Sequence, residues 1–131
     1  MAWIYEPSKD RKHKRGWLSD EAGFIEGPTG EIIGKCPANL TEADASKLLN
    51  SDSIAYSNSR WPHQYPERVY NIYKGVLYRA KPTVPGKSYH GFPELSSEAE
   101  RLPRKLKEQL LELARKRNCE VEIRKCLKGK S

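Results

Sequence analysis

The chain has 131 residues, 37% apolar and 31% charged, which is the length of one ordinary domain with a modest core and a heavily charged surface. No apolar run approaches the roughly 20 residues that a membrane helix needs, and the first residues carry no apolar stretch of signal-peptide length, so the expectation is a cytoplasmic protein. The net charge of +7 raises the prior for a polyanionic partner, either a nucleic acid or an acidic protein surface.

That charge runs basic, acidic, basic: +3 over residues 1–15, −4 over 16–60, and +4 over each of 61–92 and 93–131. Residues 1–17 are expected to form a basic arm or loop, and residues 18–131 a single α+β domain. The arm centres on Arg11-Lys12-His13-Lys14-Arg15 and has neither helical nor strand periodicity. Gly27-Pro28-Thr29-Gly30 signals a turn, and the apolar pairs Phe24-Ile25 and Ile32-Ile33 on either side suggest a small hairpin. Thr41, with Asp44 three residues on, opens a helix of about ten residues that closes at Asn50-Ser51. Residues 51–67 are polar, carry Pro62 and Pro66, and read as a connecting loop.

The clearest signal is strand, turn, strand: Val69–Tyr73 and Val76–Ala80 around Lys74-Gly75. Alternation in the second strand places Arg79 and Lys81 on one face, and Val76, Tyr78 and Ala80 on the other. Pro82 and Pro85-Gly86 then introduce a loop, Gly86 to Glu94, that carries His90. Leu102, Leu106, Leu110 and Leu113 form the buried stripe of a helix over about 103–117, with Asn118 closing it. Val121, Ile123 and Leu127 are expected as a last strand. The predicted fold is a small, mainly antiparallel sheet with two helices packed on it and a basic N-terminal arm.

Three cysteines at wide spacing (Cys36, Cys119, Cys126) form no disulfide framework and no zinc spacing, and His13, His63 and His90 form no metal motif. No phosphate-binding glycine loop occurs either, so neither a metal nor a cofactor is expected. His90 is the first candidate for chemistry, because an imidazole exchanges protons near neutral pH. With Lys87, Arg79 and Glu94 it supplies the parts of a metal-independent ribonuclease: a base and an acid in His90 and Glu94, and cations for the phosphorane charge. His63 is a second candidate acid or base, and Cys36 beside Lys35 a candidate nucleophile. Nucleic-acid contacts are expected from Arg11, Lys12, Lys14, Arg15 and Lys81, and base stacking from Tyr78 and Tyr89.

The order of helix, antiparallel hairpin, glycine-bounded His loop and terminal strand resembles, in outline, small metal-free bacterial ribonuclease toxins. That outline implies a ribonuclease without supplying a catalytic residue. Two readings therefore stand: a small protein acting on nucleic acid, RNA foremost, or a non-catalytic module that binds nucleic acid or an acidic protein. The sequence leaves open both enzyme activity and oligomeric state.

Overall fold

A computed structural model describes residues 3–129 and is α+β: a five-stranded mixed sheet, a separate two-stranded hairpin and four helices. In chain order the elements are β1 (Ile4–Tyr5), β2 (Gly23–Glu26), β3 (Ile32–Lys35), α1 (Glu42–Asn50), β4 (Ile54–Tyr56), β5 (Arg68–Tyr73), β6 (Val76–Val84), β7 (Ser88–Pro93), α2 (Ser96–Ala99), α3 (Arg104–Lys116) and α4 (Glu120–Leu127). The sheet order is β1-β7-β6-β5-β4, antiparallel except where β1 joins β7 in parallel.

The β5–β6 hairpin forms where its alternation predicts. Its two-residue turn needs positive φ at both positions, and Lys74 (φ 49°) and Gly75 (φ 77°) supply it. The weaker β2–β3 hairpin also forms, with Gly27 N–H donating to the Glu31 carbonyl across the turn. Thr41 and Asp44 make a reciprocal capping box at the start of α1. Asn118, at φ 58°, ends α3 in the left-handed conformation that asparagine tolerates.

Three expectations are corrected. Residues 120–127 are helix, not strand: Ile123 and Leu127 lie four apart and share a buried face, while Val121 is 64% exposed. Charge supports the helix, with Glu120 and Glu122 in its first turn and Arg124 and Lys125 in its last. The expected loop over 86–94 is largely strand β7, because Gly86 (φ 77°) accomplishes the turn and Ser88 onward pairs with β6. Within the expected 51–67 loop, Ile54–Tyr56 adds a strand against β5. With α4 and the unforeseen short α2 the described residues hold four helices in place of two, and the outline shared with ribonuclease toxins loses its terminal strand.

Helices lie on both faces of the sheet. On one face, α2, α3 and α4 close over Tyr70, Ile72 and Leu77 and make the main core with Leu106, Leu110 and Ile123. On the other, α1 sets Leu49 against Val69, Ala80 and Tyr89. Asn50 ties the chain's start to this layer: its side chain accepts from Trp3 N–H (2.7 Å) and donates to Trp3 C=O (2.9 Å), as a neighbouring strand would. Among the described residues no helix is long and apolar enough to cross a membrane.

Candidate functional site

The β6–β7 register builds the site. Arg79 stands opposite Phe92 and Lys81 opposite His90, so these four side chains share the face that carries Tyr70 and Leu77, beyond the reach of the helices. Phe92 is the floor. The Arg79 guanidinium lies 5.1 Å and the Lys81 ammonium 5.7 Å from its ring centroid, and the His13 ring stacks on it at 4.6 Å.

His13 arrives from the basic stretch, which folds back beside the free edge of β7. Two lysines clasp it there. Lys14 Nζ donates to the carbonyls of Pro37 (2.6 Å), Ala38 (3.2 Å) and Leu40 (2.8 Å), and buried Lys35 returns the contact to the carbonyls of Lys12 and Arg15. Gly34 lets β3 lie close against the end of β7, since a Cβ there would meet the Pro93 carbonyl at 2.8 Å. The Gly34 carbonyl accepts from His13 Nδ1 (2.7 Å).

Hydrogen bonding fixes both imidazoles. A carbonyl only accepts, so His13 carries its proton on Nδ1 and leaves Nε2 bare. Thr83 has one hydroxyl proton and gives it to the Glu6 carbonyl (2.6 Å), so its oxygen accepts from His90 Nδ1 at 2.8 Å. His90 therefore also presents a bare Nε2. Burial first, then His13 and the charges of Lys81 and Lys12, hold His90 neutral and bring its pKa down to about 4. Burial likewise lowers that of His13. Each is a base at neutral pH.

Glu94 is buried and well occupied. Its carboxylate accepts from Tyr70 Oη (3.3 Å) and Leu95 N–H (3.1 Å) and lies 3.5 Å from Arg79 Nε. That last contact is an ion pair whose N–H is not aimed for a hydrogen bond. Burial pushes the Glu94 carboxyl up, and Arg79 opposes the shift.

Among the described residues, two buried side-chain nitrogens or oxygens have no hydrogen-bond partner: His13 Nε2 and Arg79 Nε. Both residues line one cavity of about 200 Å³, together with Lys12, Lys81 and Phe92, and with Glu31 and Glu94 as the acids of its wall against the three cations. Orphaned polar atoms are rare in folded proteins. Arg79 Nε–H is a donor without an acceptor and the bare His13 Nε2 an acceptor without a donor, so the wall of this cavity suits a ligand that brings both an anionic oxygen and a hydroxyl. Lys81 fits this picture: burial and the nearby charges of Lys12 and Arg79 lower its pKa, and an anion would relieve that crowding.

Not every residue singled out in the sequence comes here. Arg79, Lys81, His90 and Lys12 gather on this side, with Glu94 behind Arg79. His90 lies in β7 and Glu94 just past its end, four residues on along extended chain, about 13 Å at about 3.3 Å per residue with Phe92 between them, so they do not face each other across one phosphate. Lys87 is exposed in the turn at the hairpin's far tip. Tyr78 (7% exposed) and Tyr89 (0%) belong to the core of the opposite face and leave no ring face for a base. Lys14 is committed to its three carbonyls, while Arg11 and Arg15 remain exposed. His63 sits apart in the 57–67 loop, stacked on Tyr65 at 5.0 Å. The Cys36 thiol is buried and pushed up to about 11, because desolvation outweighs the lysines beside it.

Sequence reasoning missed His13, Phe92 and Thr83 as parts of the site. Only the alternation His90-Gly91-Phe92 could have signalled Phe92; His13 depends on a long-range fold-back with no local signature. Among the described residues no group of three or more His, Cys, Asp and Glu is placed to hold a metal. Comparison with family models, curated proteins and solved structures finds no match to this chain.

Proposed function

We propose that this protein acts on RNA as a ribonuclease that needs no metal ion. The observation that carries the reading is the cationic cavity with two orphaned nitrogens in its wall and the bare Nε2 of His90 on the strand beside it. A bridging phosphate seats between Lys12, Lys81 and Arg79. His90 Nε2 takes the 2′-hydroxyl proton, O2′ attacks phosphorus, and the P–O5′ bond breaks. Lys81, the cross-strand neighbour of His90 and acidified by burial and then by the charges of Lys12 and Arg79, gives its proton to O5′. The products are a 2′,3′-cyclic phosphate and a 5′-hydroxyl; water then carries the proton from His90 back to Lys81. Glu94 acts by holding Arg79.

The test is incubation with total RNA in excess EDTA, beside His90→Gln, which keeps a hydrogen-bond partner for Thr83 and lacks the base. Cleavage by the wild type, reduced by about 10²-fold or more in the variant, is expected. Intact RNA in every lane, or equal cleavage by both proteins, overturns the reading. A non-catalytic module would instead retain salt-sensitive RNA binding without turnover, with the same cations as its contacts.

A further inference from the structure

A second cleft, about 150 Å³, lies under the loop of residues 6–16. Its wall includes Tyr5, His13, Leu40, Ala45 and His90, with Gly91 at its base. It shares Tyr5, Leu40, Ala45 and Gly91 with a smaller, almost wholly apolar recess of about 40 Å³ under α1. His13 also belongs to the wall of the cationic cavity, and His90 has Lys81 of that cavity as its cross-strand neighbour. One imidazole ring therefore stands between the cationic cavity and a cleft that adjoins an apolar recess.

The backbone at the base of the cleft is covered by side chains in place of a strand. Tyr89 turns its carbonyl outward to β1, where Glu6 N–H takes it at 2.8 Å. Two residues on, Gly91 turns outward as well, but β1 has ended at Tyr5. The Gly91 carbonyl accepts only the Cys36 thiol, a weak donor at 3.5 Å, and keeps a lone pair, while the Tyr5 phenol oxygen takes the Gly91 N–H and keeps its own O–H to give. A cleft with apolar patches, polar side chains such as Ser8, Thr41 and Glu42 along its wall, and a carbonyl acceptor and a phenol donor at its base matches one chemical class well: a flat heterocycle with amide-like edges.

We infer that this cleft is a nucleobase subsite, which receives the base of the nucleotide whose phosphate sits in the neighbouring cationic cavity. The inference rests on the RNA reading for its ligand class. Arg11, at the mouth, meets the backbone of the incoming strand.

Gly91 offers a clean probe. Its φ is not positive, and a Cβ there meets nothing closer than the Arg79 carbonyl at 3.7 Å, so a side chain added by Gly91→Val narrows the place where cleft and recess meet without straining the strand. Gly91→Ala serves as the milder variant, and both are checked for native thermal unfolding. Inorganic phosphate, a set of nucleoside 3′-monophosphates and the free nucleosides are titrated calorimetrically into wild type and variants. For the wild type, at least one nucleoside monophosphate is expected to bind about tenfold or more tighter than phosphate, with the four bases distinguished. Gly91→Val is expected to reduce the nucleotide to the affinity of phosphate and leave phosphate itself unchanged, with Gly91→Ala between.

If nucleotides and phosphate bind alike, or Gly91→Val does not touch the difference, the subsite is wrong even where RNA is cleaved. If nucleotides bind as expected but RNA survives in EDTA, the subsite stands and the ribonuclease reading falls. If neither nucleosides nor nucleotides bind, the subsite is overturned.

Discussion

Two halves of one sheet face, joined along β6, come out chemically opposite. Under α2, α3 and α4 the pleat presents Tyr70, Ile72 and Leu77 to a closed apolar core. One or two residue pairs further along, it presents Arg79, Lys81, His90 and Phe92 to a short basic loop, and two polar atoms there stay without partners. A helix layer can seal a face only with an apolar stripe, as α3 does with Leu106, Leu110 and Leu113. A loop seals it with whatever it carries, here His13 clasped in place by Lys14 and Lys35. The first arrangement holds the protein together; the second leaves a site.

The sharpest way to break that division is Leu110→Ala. Leu110 is wholly buried in the helical half, and its truncation should cost about 2–5 kcal/mol in urea unfolding. Phosphate affinity per folded molecule should hold. A parallel loss of affinity would show that the two halves are one cooperative unit.

Two lysines sharpen the comparison inside the basic region itself. Lys35 is buried with its ammonium on two carbonyls, and Lys35→Met should cost about 1–3 kcal/mol by stranding them. Lys81 is exposed at the cavity, and Lys81→Met should stay within about 0.5 kcal/mol of wild-type stability. RNA binding should nonetheless weaken and its salt slope fall by about 1. Should Lys35→Met weaken RNA binding more than Lys81→Met while remaining folded, the assignment of clasp and site is reversed.

How legible the two halves were differs in the same way. The Leu102/106/110/113 stripe and the alternation of residues 69–80 are local patterns, and the helical half could be read from them. Strand β7 was hidden by its glycines and prolines, which read as loop until β6 pairs with it. The final helix was obscured because Val121 and Ile123 alternate over three residues, while the deciding partner, Leu127, is one turn further on. Within the site, Arg79 and Lys81 were visible as a cationic strand face, and His90 as a lone titratable group. Tyr78 and Tyr89 looked equally available, since alternation says which residues share a face but not which face is covered. His13 sits 77 positions before His90, and only tertiary structure brings their rings to 5.9 Å.

The smallest effect tests the protonation state on which the site's chemistry depends. His90 is held neutral by burial, by His13 and by Lys81 and Lys12, with Asp10 a lesser opposing charge. Its folded pKa, about 4, lies below the ordinary 6.5, so the folded state binds fewer protons than the unfolded one. Stability from this group is therefore complete above about pH 6.5 and is lost as the pH falls toward 4. Glu94 acts in the opposite sense: its raised pKa favours the folded state at low pH and loses that advantage as pH rises through it. The two oppose each other, and the net slope alone assigns neither. His90→Gln removes one of them. Urea unfolding between pH 7 and 4 should lose on the order of 1 kcal/mol more in the wild type than in the variant, a figure discounted for the solvent that reaches the ring. An identical pH dependence in both would mean that His90 is already protonated or already solvated in the folded protein. Its bare Nε2, and the base assigned to it, would then have to be given up, while the core under α3 would be untouched.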